Sequence, residues 1–103
     1  MFDFDTNGNL AIASFSDDST FVGRGYGKVI FYLSSGASNF NWVKSLSFDV
    51  DSSALSLEAL DFDESNNRIM LFYDVEPVFV ILDASSGNMQ KYIHLQAYYA
   101  SDG

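Results

Sequence analysis

Residues 78–95 read VFVILDASSGNMQKYIHL, and this stretch decides the fold. Five apolar residues, Val78–Leu82, are followed by a polar run ending in Gly87 and then by an alternating segment closing on Leu95. An apolar run of that length, bounded by Asp, Ser and Gly, reads as a strand, because β-branched and aromatic side chains fit a pleated surface and the small polar residues fit a turn. The whole stretch is therefore a β-hairpin. An earlier stretch, VIFYLSSGASNFNWVKSL over residues 29–46, follows the same plan.

Working outward, the residues before each hairpin also correspond. FDFDTNGN (2–9) precedes LAIASFS (10–16), and LDFDESNN (60–67) precedes RIMLFYD (68–74). Each pair reads as a strand carrying Asp-Phe-Asp, a polar turn and a mostly apolar strand. Asn7-Gly8 predicts a two-residue type I′ turn, which needs positive φ at both central positions. Asp5 and Asp63 stand 58 apart, whereas Gly36 and Gly87 stand 51 apart. One longer connection in the first half, Asp17 to Gly27 (DDSTFVGRGYG), accounts for the difference; the second half crosses the same gap with Val75-Glu76-Pro77. Surface connections tolerate such insertions. Residues 53–59 (SALSLEA) satisfy either a short helix or an alternating strand.

The fold predicted is all-β: an antiparallel four-stranded meander made twice, with an eight-stranded sandwich or jelly roll as the alternative. Residues 1–52 form the first unit, with a long loop at 17–27, and residues 53–96 form the second. Residues 97–103 open a possible third, which predicts either a segment of a longer protein or units that assemble. VFVILDASSGNMQKYI (78–93) resembles the strand–turn–strand of β-propeller repeats of the quinoprotein-like and related kinds, and FDFDTNGNLAIAS (2–14) resembles the Asp-x-x-Gly-Asn-Leu hairpin of other blades. The resemblance implies blade-like sheets that stack face to face.

Composition narrows the function. Fourteen acids against five Lys and Arg give a net charge of −9 in 103 residues, which repels phosphate backbones and argues against nucleic acid as a partner. There is no Cys, so disulfides, zinc–thiolate centres and thiol nucleophiles are excluded. No apolar run is long enough to insert in a membrane as a helix. The N-terminal MFDFDTNG lacks the basic and apolar regions of a signal peptide, while the Ser, Asn, Phe and Asp content leans towards an extracellular or cell-surface setting.

Several residues are candidates for chemistry. Asp3, Asp5, Asn7 and Asn9, with Gly8, match the first half of a Ca²⁺ loop, in which oxygen ligands alternate; the twelfth position is Ser14 rather than Glu, and the competing reading is an acidic turn with Asx capping. Calcium is therefore the one cofactor considered. Asp49/Asp51 and Asp61/Asp63 are carboxylate pairs on one strand face, a spacing open to glycoside hydrolysis or to a charged edge that blocks aggregation. Arg24 and Tyr26, within Gly23–Gly27, are contact-loop residues of the types enriched at interface hot spots. His94 alternates with Ile93 and Leu95 and is expected to point to solvent or an interface. Phe40, Trp42, Tyr73, Tyr92, Tyr98 and Tyr99 suit packing between sheets, or sugar stacking. The function predicted is a non-catalytic structural or protein-interaction module, its partners being other proteins, further blades or copies of itself. A carbohydrate-binding or Ca²⁺-dependent surface domain, and a fragment of a propeller enzyme, are the alternatives.

Overall fold

The structure, a computed structural model, describes residues 1–14, 28–48, 55–74 and 77–95. They form two antiparallel four-stranded sheets. The first contains β1 (Phe2–Phe4), β2 (Leu10–Ala13), β3 (Val29–Leu33) and β4 (Trp42–Ser45), in that order. The second contains β5 (Ser56–Asp63), β6 (Arg68–Asp74), β7 (Val78–Asp83) and β8 (Met89–His94), again in chain order. Among the described residues neither sheet borrows a strand from the other, so the strand exchange of a jelly roll is not seen there. Ser56–Ala59 is strand rather than helix, because Leu57 and Leu60 enter the core and Glu58 is accommodated by a bulge between Leu57 and Ala59.

The sheets face one another across one apolar cluster. The first contributes Ala11, Ala13 and Ile30 from its inner face, with Tyr32 and Trp42 packed against them. The second contributes Leu57, Leu60, Ile69, Leu71, Tyr73, Val78, Val80 and Leu82. Alternation explains the division, since residues two apart along a strand share a face and directly paired residues across strands share it too.

Two local expectations are corrected. The β1–β2 loop is not a two-residue type I′ turn. Asp5 N–H donates to Asn9 O (2.9 Å) and Gly8 N–H to Asp5 O (3.1 Å), leaving Thr6, Asn7 and Gly8 in the loop. Only Gly8, at φ +84°, takes positive φ; Asn7 does not. The cause is the Asp5 side chain, whose Oδ1 accepts from the N–H groups of Asn7 and Asn9 (both 2.9 Å) and so favours a three-residue loop with glycine in the left-handed region. His94, in turn, pairs with buried Val78 and lies two residues from Tyr92, which places it on the core side of β8, half-buried. The single-strand pattern did not show which alternating set faces inward.

Candidate functional site

The hairpin loops β1–β2, β3–β4, β5–β6 and β7–β8 gather at one end of the two sheets. Thr6 ties the first sheet to the second, its N–H and Oγ1 both donating to Glu64 Oε1 at 3.0 and 2.6 Å. Within the first sheet, Ser35 N–H donates to Asn9 Oδ1 (2.8 Å); within the second, Asn67 Nδ2 donates to Ser85 Oγ (2.7 Å). Trp42 makes a second tie between the sheets. Its indole Nε1 donates to Ala84 O at 2.8 Å, while its ring stacks on Tyr32 with 5.4 Å between centroids and 9° between planes. Gly87 lies under the same ring, where a Cβ would sit 2.7 Å from two indole carbons. Glycine is needed there for both its φ of +78° and this close approach.

The residues singled out for cation binding fall at this end but are occupied with the loop. Asp5 Oδ2 accepts from Asn9 Nδ2 (2.7 Å), so both carboxylate oxygens already hold N–H donors. Partial burial raises the Asp5 carboxyl, but the Asn9 side chain and the N–H groups of Asn9, Asn7 and Gly8 outweigh it and hold the group below its ordinary value. Asp3 pairs with Ala11 on the inner face and is half-buried, Asn7 is exposed, and Asn9 Oδ1 is taken by Ser35. Among the described residues, no group of three or more His, Asp or Glu side chains gathers as a metal centre.

Of the carboxylate pairs, Asp49/Asp51 lie outside the described residues. Asp61 is exposed, and Asp63 is committed to Arg68 through an ion pair of 2.7 Å. Arg68, then Asn66, hold the Asp63 carboxyl below its ordinary value. A general acid needs the opposite shift. The contact-loop residues Arg24 and Tyr26, the whole of Asp17–Gly27, and Tyr98 and Tyr99 also lie outside the described residues.

What sequence reasoning missed is a face. On the outer side of the first sheet, the row nearest the gathered loops runs Phe4, Leu10, Leu33, and the next runs Phe2, Ile12, Phe31, Val43. Phe2 is 65% exposed, Phe4 55% and Val43 53%; the exposed Phe40 packs beside Phe31, with ring centroids 5.1 Å apart. An apolar sheet face this open on a chain with a net charge of −9 is a binding surface or a liability. The signal was present in the alternation of Phe2 and Phe4 with Asp3 and Asp5. It marks a shared face without saying whether that face is covered.

The corresponding rows of the second sheet are Phe62, Ile69, Leu82 and Leu60, Leu71, Val80, Tyr92. These face the first sheet and pack in the core. Positions that point away in the first sheet thus point inward in the second, and unlike faces meet at the interface. No protein-family model, no curated protein and no solved structure matches the chain.

Proposed function

We propose that this chain is a non-catalytic structural and protein-interaction module, two blade-like units of a β-propeller-like scaffold. The observation that carries the proposal is the meeting of unlike faces. Two meanders of the same order stack in the same sense, which is the packing that lets blades succeed one another. The closeness of the two halves in sequence, Asp-Phe-Asp strand for strand and Ser-Ser-Gly turn for turn, supports the same reading. So does the fate of the polar residues. Asp5, Asp63 and Asn9 cap loops or hold an ion pair, which are structural tasks. Trp42, one of the aromatics considered for sugar stacking, is held between Tyr32 and Gly87 and serves the seam between the sheets.

The mass and flanking sequence of the protein isolated from its source test this. A native polypeptide well above 11.4 kDa, carrying further Asp-x-Phe-Asp strands and Ser-x-Gly turns, supports the scaffold. A native polypeptide of 11.4 kDa that stays a folded monomer overturns it.

A further inference from the structure

We propose that Asn7-Gly8 is a self-modifying site: in the folded chain Asn7 turns into a mixture of aspartate and isoaspartate, and this loosens the hold of the first sheet on the second. The proposal does not depend on the blade-like reading above.

Asn-Gly occurs once in the chain, and the β1–β2 loop presents it openly. Thr6, Asn7 and Gly8 are all exposed. Asp5 Oδ1 holds the Asn7 N–H (2.9 Å), but the Asn7 carboxamide forms no hydrogen bond with any described residue. Four other asparagines use theirs. Asn9 donates to Asp5, Asn66 to Asp63 and Asn67 to Ser85, while Asn41 accepts from Ser34 N–H. Asn39 and Asn88 are followed by Phe40 and Met89, whose side chains hinder an approach by the main-chain nitrogen. Among the described asparagines only Asn7 combines a free carboxamide with a following residue that lacks Cβ. The Gly8 N–H does donate to Asp5 O, at 3.1 Å, and this bond must open first. It closes an exposed hairpin tip, where local opening costs least.

The chemistry needs only water. Gly8 N gives up its proton to water and attacks Asn7 Cγ. The new N–Cγ bond closes a cyclic imide as the Cγ–Nδ2 bond breaks, and ammonia leaves with a proton taken from water. Water then opens the imide. Breaking the bond from Gly8 N to Cγ gives aspartate in the original main chain. Breaking the bond to the Asn7 carbonyl carbon leaves Gly8 joined through Cγ, which is isoaspartate. One water is consumed, one ammonia is released and nothing is oxidised or reduced.

Either product puts a carboxylate where a neutral amide stood. Its neighbours are Asp5, whose carboxylate holds the Asn7 N–H, and Thr6, whose N–H and hydroxyl hold Glu64 of the second sheet. Like charges so placed repel. Isoaspartate also lengthens the main chain by the Cβ atom inside a three-residue loop, which draws Thr6 away from Glu64.

Ageing of the 103-residue chain in mildly alkaline buffer, folded and in unfolding urea, tests the proposal. Digestion and mass spectrometry locate the amide-to-acid change, and electron-transfer fragmentation tells isoaspartate from aspartate. In the folded chain the change should appear at Asn7 ahead of every other asparagine, as both products, and the aged chain should unfold at a lower urea midpoint than the fresh one. Asn7→Gln, whose longer side chain disfavours the ring, should keep its mass and its midpoint; Asn7→Ser replaces it if circular dichroism shows strands lost. Conversion confined to the urea sample overturns the proposal, because the loop then protects Asn7. Conversion spread evenly over the asparagines overturns it too, and so does a converted chain with an unchanged midpoint. None of these results touches the native mass and flanking sequence, so the scaffold reading stands or falls separately.

Discussion

Gly87 is a single residue on which two sheets depend. Any side chain there must adopt left-handed backbone and also displace the Trp42 ring. Left-handed backbone costs about 1–2 kcal/mol, and overpacking adds a similar amount. Gly87→Ala should therefore lose about 2–4 kcal/mol in urea unfolding. Asp5 acts more locally. Asp5→Ala removes the acceptor for three N–H donors and should cost about 1 kcal/mol, whereas Asp5→Asn keeps an acceptor oxygen and should recover most of it. If Asp5 served mainly as a cation ligand, the Asn variant would behave like the Ala variant and the melting temperature of the unmodified chain would rise with added Ca²⁺; neither is expected. The carboxyls of Asp5 and Asp63 both titrate lower in the folded chain than in the unfolded one. Their contribution is complete above the ordinary value of 3.8 and is lost as pH falls through the lower folded values. Urea midpoints should hold near about pH 6 and drop below about pH 4, and Arg68→Met should shrink the part of the drop due to Asp63.

Within an element, the two faces of a strand have separate energetics. Leu71 on β6 is fully buried between β5 and β7, and Leu71→Ala should cost about 2–5 kcal/mol through lost burial and the void left behind. Val43 on β4 is just over half exposed, and Val43→Ala should change stability by no more than about 0.5 kcal/mol. Chemical denaturation of the two variants side by side checks the contrast. The described strands were legible in the sequence, apart from the Ser56–Ala59 half of β5, which also fitted a helix, because apolar alternation and Asp, Asn, Ser and Gly turns punctuate them at short range. Which face of a strand is covered depends on the other sheet, and that is not written within the strand. His94 shows the gap most plainly: its neighbours Ile93 and Leu95 looked like the buried pair, and only the pairing of β8 with β7 assigns His94 to the core side. The Asn7-Gly8 turn shows another. A nearby carboxylate, Asp5, chose a longer loop than the dipeptide alone favours.

For the molecule as a whole, Tyr73 connects the core to solution conditions. Its phenol is buried beside Phe48, with ring centroids 5.0 Å apart, and burial pushes its ionisation far above the ordinary value of 10.0. The unfolded chain therefore releases this proton first, and stability should fall as pH rises past 10.0. Tyr73→Phe should flatten that alkaline loss, measured by urea midpoints at increasing pH. The location of candidate chemistry was less legible than the fold. Paired carboxylates and an acidic turn draw attention in a sequence, but their partners, Arg68 and Asn9, become visible only once the loops are closed. The open Phe2–Phe4 surface was hidden for the converse reason, since apolar residues on a strand are read first as core.

The chain has a single tryptophan, and it lies on the seam between the two sheets. Its fluorescence is thus a built-in gauge of whether the halves are joined. Parting them would bring water to the indole and shift its emission to longer wavelength, even with every strand still paired within its own sheet.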